Sequence, residues 1–155
     1  MDAMGEFILN TPSTANDNSD YHAGIWWLDP NAGPGPSLDL PTLPSGWKYE
    51  GWVVGPNGPV TTGKFTSVSG TDSDGGGPTA GTDPVPPFPG QDYINPLMSL
   101  IGYTAVISIE PMPDNSPAPF VLKPLVDGNI EDVGIGVLQS MNNNAGTFPS
   151  GSAER

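Results

Sequence analysis

The chain has 155 residues, a length that suits one domain built around a single core. It contains no cysteine, which excludes disulfides, thiolate nucleophiles and zinc–thiolate sites. Its formal charge is −13 at pH 7, from 17 acidic and four basic residues, which excludes nucleic acid and anionic membranes as natural partners because no basic surface can replace their counterions. The acidic surface favours contact with cations or serves solubility alone.

The first seven residues, MDAMGEF, are typical of sequence left by cloning sites. They contain neither the basic nor the apolar region of a signal peptide. No apolar run approaches the ~20 residues that span a bilayer. We therefore expect cloning remnants at 1–7, one β-sandwich domain over 8–148 and a tail at 149–155, with any targeting signal outside the given sequence.

Short apolar runs interrupted by Gly and Pro predict strands in the first third of the chain. The segment FILNT (7–11) is predicted as an edge strand, and GIWWLDP (24–30) as a buried strand that ends in an Asp-Pro turn. The segment LDLPTLP (38–44) is predicted as an edge strand because two prolines interrupt it. Trp26 and Trp27 are adjacent, so in a strand their side chains point to opposite faces.

The stretch WKYEGWVVGPNGPV (47–60) predicts a β-hairpin. Period two divides its first strand into two faces. The face expected to point into the core consists of Trp47, Tyr49, Gly51 and Val53. The opposite, amphipathic face consists of Lys48, Glu50, Trp52 and Val54. GPNG (55–58) supplies the turn, and 59–68 returns as the partner strand.

The segment 69–92 has no hydrophobic period and is too long for an ordinary connection, so it is a surface strap, a mobile excursion or a site. Its Asp72, Asp74 and Asp83 are candidate calcium ligands, because calcium takes carboxylate, carbonyl and water oxygens. The spacing of an EF-hand is absent, and the alternative is a solvated loop. In VPPFPG, Phe88 is expected to anchor a stiff polyproline strap.

The second half of the chain predicts further strands. The segment YTAVISIEP (103–111) alternates cleanly and places Ile107 and Ile109 on the core face. The segment 118–126 is predicted as the next strand. The pattern of 129–141 fits either a helical face or a strand over its last seven residues, and we favour the strand because two glycines disfavour a helix.

Regularly spaced short strands separated by turn signals predict an all-β, antiparallel β-sandwich of immunoglobulin-like size. The 21 Gly and 20 Pro residues predict long Pro/Gly-rich loops. Four Trp, four Tyr and five Phe are too many aromatic residues for a disordered chain.

Two stretches, 40–68 and 105–122, share a residue pattern with one protein family. The pattern is a Leu-Pro lead-in, a Tyr shortly before a Trp, a hairpin ending in Gly and an aromatic residue, and a strand closing on Glu-Pro. These residues are Leu43-Pro44, Tyr49, Trp52, Gly63-Lys64-Phe65 and Glu110-Pro111. In them the chain resembles the extracytoplasmic C-terminal domain of anti-sigma-K-factor-type proteins.

The resemblance implies an extracytoplasmic β-sandwich of a bacterial protein, in the periplasm, at the cell surface or secreted. The chain departs from the family at 112–115, where Met-Pro-Asp-Asn stands in place of the usual Gly-Gly turn. The family's cytoplasmic zinc-binding module, which grips sigma factor, and its membrane span have no counterpart in this sequence. We therefore expect no direct binding of sigma factor and no membrane insertion by this chain.

Few residues suit catalysis. His22 is the only imidazole and lies in a polar loop, so a Ser–His pair is not expected. Glu50 and Glu110 are either a glycosidase-like acid pair or structural carboxylates, one of them neutralised by Lys48. The sequence therefore predicts a protein that is not an enzyme and has no cofactor other than a candidate calcium ion.

Three functions are compatible with this pattern. The first is an interaction or sensory domain that binds a protein partner or itself. The second is a structural subunit of a filament or surface layer, assembled by strand addition at 7–11 or at the tail. The third is a carbohydrate-binding module that uses outward-facing Trp27 and Trp52, unless loops cover these rings.

Overall fold

The computed structural model describes residues 1–114 and 116–151. Its strands are β1 Met4–Leu9, β2 Gly24–Trp26, β3 Leu28–Asp29, β4 Gly35–Pro36, β5 Leu38–Asp39, β6 Trp47–Gly55, β7 Gly58–Phe65, β8 Gly90–Asp92, β9 Thr104–Pro111, β10 Leu125–Asp127, β11 Gln139–Ser140 and β12 Asn142–Asn143. Short 3-10 helices lie at Pro12–Thr14, Asn18–Ala23 and Ala145–Thr147. Within the described ranges, no helix has the length and apolar character required to cross a membrane.

The strands form two antiparallel sheets and a small ribbon. In the first sheet the order is β11-β1-β2-β8, and β5 also pairs with β1. In the second sheet the order is β12-β10-β9-β6-β7, and β3 pairs with β4 alone. The chain passes from the first sheet to the second at Met141, between β11 and β12. The predicted all-β, antiparallel, sandwich-like fold is confirmed.

One hydrophobic cluster contains side chains from both sheets. The first sheet contributes Phe7, Leu9 and Ile25, and Trp27, which directly follows β2, joins them. The second sheet contributes Tyr49, Val53, Ile107, Ile109 and Leu125. Trp47, expected in this core, is only partly buried. It begins β6 opposite Pro111, and its ring packs 6.2 Å from that of Phe120 at the end of the sheet. The alternation of a strand predicts which face a side chain points to, but a side chain at the end of a strand remains partly exposed to solvent.

The predicted hairpin is present as β6 and β7. Gly55 pairs with Gly58, so Pro56 and Asn57 form a two-residue turn. The register shifts once between the strands, because Gly51 pairs with Gly63 whereas the next residue of β6 pairs with Thr61. The extra residue lies on β7, and such a bulge increases the local twist.

The first strand differs from its prediction. The segment 7–11 was expected to form an edge strand, but β1 begins at Met4 and lies inside the first sheet, between β11 and β2. Residues 4–7 therefore belong to a paired strand, whatever their origin, and Phe7 is fully buried. Strand addition at this segment would require the removal of β1 from its partners.

Three further segments form shorter strands than predicted. Within 118–126, only the last two residues belong to β10, because Pro119 and Pro124 lack the N–H that a ladder requires. Within 129–141, neither a helix nor a long strand forms: Gly134 and Gly136 adopt φ of 100° and 69°, and the strand is confined to β11. The segment 38–44 contributes only β5.

A second hydrophobic cluster covers the outer face of the first sheet. It consists of Ile8, Trp26, Leu28 and Phe88, with Val85 packed against it. The last two belong to the segment 69–89, which runs over the sheet as the predicted strap. Trp26 and Trp27 do point into different clusters, and both are fully buried because the strap covers the outer one.

Candidate functional site

Trp27 and Trp52, expected as contact residues for a partner or a sugar, are 0% and 2% exposed. Trp27 Nε1 lies 3.3 Å from Met141 Sδ within the main cluster. Trp52 Nε1 donates a hydrogen bond of 2.9 Å to Ser108 Oγ on β9. This differs from the expectation, since a ring that stacks on a ligand must present a face to solvent. The predicted outward direction of Trp27 is wrong, because Trp27 lies in the main cluster and Trp26 takes the outer face. Trp52 does lie on the outer face, but it is covered there.

The three candidate calcium ligands of the strap are not brought together, because their carboxylate oxygens do not all lie within 4.8 Å of one another. Asp72 points inward and accepts hydrogen bonds from Gly90 N at 3.0 Å and from Asp74 N at 3.1 Å. Asp74 is exposed. Asp83 is fixed elsewhere, where its N–H donates to Ser13 O. The three residues therefore do not form one oxygen cluster, and Asp72 serves as an anchor of the strap. A calcium site in this loop stays a prediction.

Burial raises the pKa of Asp72 to about 7, although its hydrogen bonds from Gly90 and Asp74 oppose the shift. Burial also raises the pKa of Asp92, which accepts hydrogen bonds from Ser13 and from Trp26 Nε1. The carboxyl groups of Asp72 and Asp92 thus fasten the strap and the first 3-10 helix to the first sheet through hydrogen bonds.

A different group of carboxylates lies on the outer face of the second sheet. Glu50 on β6 pairs with Ser108 on β9, so Glu110, two residues further along β9, lies on the same face. Asp114, in the loop after β9, lies over this face. One carboxylate oxygen from each acidic residue lies within 4.8 Å of the other two. We call Glu50, Glu110 and Asp114 the acidic cluster.

Hydrogen bonds fix two members of the acidic cluster. Thr61 Oγ1 donates to Glu50 Oε1 at 2.7 Å, and Phe120 N donates to Glu110 Oε1 at 2.8 Å. Ser108 Oγ also donates to Glu110 Oε1. Glu50 Oε2 is buried and accepts no hydrogen bond from the described residues.

The acidic cluster carries more negative charge than its surroundings neutralise. Lys64 Nζ lies 3.4 Å from Asp114 Oδ2, whereas Lys48, the cation expected beside a strand carboxylate, is exposed. Burial raises the pKa of Glu50 to about 7, and Thr61 and Lys64 oppose that shift. The hydrogen bond from Ser116 N, with Lys64 nearby, lowers the pKa of Asp114.

The predicted pair Glu50 and Glu110 is thus brought together, but burial does not suit a glycosidase. Glu50 is 3% exposed and Glu110 is 1% exposed, so a sugar could not reach Glu110 as the structure stands. Sequence reasoning missed Asp114. The one available signal was the departure from the Gly-Gly turn at 112–115, which places a carboxylate after β9.

A second surface feature consists of two loops that expose apolar side chains. The exposed residues are Leu97, Ile101, Val133, Ile135 and Val137. Residues that flank the two loops are joined, because Gly102 N donates to Ile130 O and Ile130 N donates to Tyr103 O, each at 2.8 Å. We call 97–101 and 133–137 the apolar loops. The first lies shortly before β9 in the chain, and the second contacts the end of β1, where Gly136 N donates to Leu9 O.

Comparisons with protein-family models, with curated proteins and with solved structures found no match to this chain. The resemblance to the extracytoplasmic domain of anti-sigma-K-factor-type proteins therefore rests on the shared residues alone and stays a prediction.

Proposed function

We propose that this chain is a non-enzymatic interaction domain that binds a protein partner through the apolar loops. The observation that carries the proposal is the exposure of five aliphatic side chains on two neighbouring loops, from 37% for Ile101 to 56% for Leu97. Exposed apolar groups that lie together mark contact surfaces, because burying them against a partner removes them from water.

The sequence of the second apolar loop supports a contact role. Val133, Ile135 and Val137 alternate with Gly134 and Gly136, whose positive φ angles exclude both a helix and a regular strand. All three aliphatic residues remain more than 40% exposed, although the core cluster lies close by. A loop whose only purpose was connection would be expected to carry polar residues at these positions.

The surroundings of the candidate catalytic residues support a binding role over an enzymatic one. His22 Nδ1 is buried with no hydrogen-bond partner among the described residues, so no hydroxyl is activated there. Glu50 and Glu110 are held by hydrogen bonds beneath the surface. An extracytoplasmic location is part of the proposal and rests on the resemblance, as does the absence of sigma-factor binding.

The two alternative functions have less support. A carbohydrate-binding module would use Trp27 and Trp52, which are buried. A subunit assembled by strand addition would need a free edge. The edge strands β11 and β12 are two residues long, and Asp92 N of β8 donates to Gly76 O. The eight-residue edge strand β7 is hydrogen-bonded over its second half, where Ser73 N donates to Lys64 O and Tyr93 Oη donates to Thr61 O. Short or covered edges hinder addition of a further strand.

The experiment replaces Val133, Ile135 and Val137 together by Ser. Proteins that bind the immobilised wild-type chain from an extracytoplasmic fraction are identified, purified and titrated back against it. We expect the triple variant to bind the purified partner at least about tenfold more weakly, because each truncation removes buried apolar area.

The matched control is Val121→Ser. Val121 is 63% exposed and adjoins the opposite end of β9, so its loss should leave binding unchanged. Equal weakening by the control, or full binding by the triple variant, would refute the proposed surface. Stoichiometric retention of a sigma factor at physiological salt would refute the extracytoplasmic placement, since weak charge attraction is screened over about 8 Å.

A further inference from the structure

The acidic cluster has the spacing of a metal site. One oxygen from each of three carboxylates lies within 4.8 Å of the others. Calcium binds oxygen ligands at 2.3–2.6 Å, so two oxygens on opposite sides of one ion are about 5 Å apart. A single calcium ion can therefore contact all three residues with little movement of the side chains.

Acidic residues gather in many proteins without a ligand, so the burial of the group matters. Glu50 is only 3% exposed, and its Oε2 has no hydrogen-bond partner among the described residues. A buried carboxylate oxygen without a donor costs free energy unless a cation or a proton satisfies it. Thr61 occupies the other oxygen and holds the group in place.

The net charge of the site also favours a cation. Three carboxylates face one ammonium group, that of Lys64, which leaves two negative charges when all of them are ionised. The side chain of Lys64 is 28% exposed, so it can turn towards solvent when another cation enters. A divalent ion would neutralise the remaining charge.

We propose that Glu50, Glu110 and Asp114 form a calcium site on the outer face of the second sheet. The donor set contains oxygen alone, with the hydroxyl groups of Thr61 and Ser108 beside it, and this set suits a hard cation and not zinc. Calcium accepts irregular geometry, whereas magnesium requires a near-ideal octahedron.

Access and support are both present at this site. A cleft of about 490 Å³ opens beside Glu50 and Asp114, so water can complete the coordination and the ion has a path. Glu110 is oriented by Ser108 and by the backbone N–H of Phe120, in the way that outer hydrogen bonds orient metal ligands. Calcium binding would tie the loop after β9 to the sheet.

The first test measures thermal unfolding of the unaltered chain in calcium and in EDTA. At a calcium concentration of about 100 times the Kd, we expect the Tm to rise by about 5–10 °C. Terbium, which replaces calcium and emits when a nearby indole is excited, should give sensitised emission that excess calcium removes. Trp52, linked to Glu110 through Ser108, is the expected donor, so Trp52→Phe should reduce the emission.

The second test uses variants. Glu50→Gln and Asp114→Asn should each weaken calcium binding at least about tenfold. Asp74→Asn, which removes an exposed carboxylate of the strap, is the matched control and should leave the affinity unchanged. Lys64→Met should tighten binding, because it removes the competing cation.

Coincident melting curves in calcium and EDTA would overturn the proposal even if every variant failed to fold. A calcium response that Asp74→Asn abolishes and Glu50→Gln preserves would place the ion elsewhere and also overturn it. A Glu50→Gln protein that is more stable than the unaltered chain, with neither responding to calcium, would identify the cluster as an acid pair that shares a proton.

Discussion

The carboxyl group of Asp72 should make the stability of this protein depend on pH in an unusual direction. Asp72 is 7% exposed and anchors the strap to Gly90 at the start of β8. Its pKa is raised from 3.8 to about 7, mainly by burial. The folded chain therefore retains a proton that the unfolded chain has already released between about pH 4 and pH 7.

The sign and the size follow from this difference. The folded state binds more protons in that window, so the free energy of unfolding falls as the pH rises and levels off above the raised pKa. About three pKa units correspond to at most roughly 4 kcal/mol. Glu50 and Asp92 also have raised pKa values and contribute in the same direction.

Asp72→Asn isolates the contribution of this one group. The amide cannot ionise, so the variant should gain up to about 4 kcal/mol relative to the unaltered chain between pH 4 and pH 8. Any constant offset from altered hydrogen bonds cancels in that comparison, and so do the other titrating groups. Urea unfolding monitored by Trp fluorescence at several pH values measures this difference in the free energy of unfolding.

The control is Asp39→Asn, since Asp39 is exposed and lies on β5, away from the strap. Its profile should remain parallel to that of the unaltered chain. If the Asp72→Asn profile is parallel as well, Asp72 does not titrate in this window and the argument from its burial is refuted.

Two further predictions concern packing and backbone conformation. Phe88→Ala should lower the free energy of unfolding by about 3–5 kcal/mol, because Phe88 anchors the strap. Phe120→Ala, at a site 37% exposed, should lower it by about 1 kcal/mol. Equal losses of stability in chemical denaturation would refute the anchoring role of Phe88. Gly63→Ala should cost at least about 3 kcal/mol, because φ is 113° and the new Cβ would lie 2.5 Å from the Asp72 carboxyl carbon. Gly58→Ala, with φ of 99° and open space around it, should cost about 1–2 kcal/mol, and a reversed order in thermal unfolding would contradict this reasoning.

The acidic cluster and the strap could be foreseen only in part. The alternation around Glu50 and the position of Glu110 at the end of a strand were visible in the sequence, but their proximity depends on the register between β6 and β9. Asp114 joins them because of the path of the loop after β9, and the hydrophobic alternation of the sequence does not predict the path of a loop. Asp72 lies in a segment whose pattern suggested an ion, and burial made it an anchor instead.

The sequence by itself determined the β6–β7 hairpin, the strand β9 and the faces of Tyr49, Val53 and Ile107. These are local properties, because alternation acts between neighbours in the chain and a turn requires only Gly, Pro and Asn at adjacent positions. The prolines and glycines that shortened other strands were also visible, and they act by removing an N–H or by admitting positive φ.

The tertiary structure alone decided which strands lie inside a sheet and what covers each face. The N-terminal strand is central because β11 and β5, distant in the chain, pair with it. Trp27 is buried in the main cluster, although the sequence analysis assigned it to the outer face, and Trp52 is buried on the outer face, where it donates to Ser108. The pairing of strands and the covering of sheet faces are contacts between segments far apart in sequence. Their free energy depends on the apolar area that the whole fold removes from water, and a local sequence pattern does not contain this information.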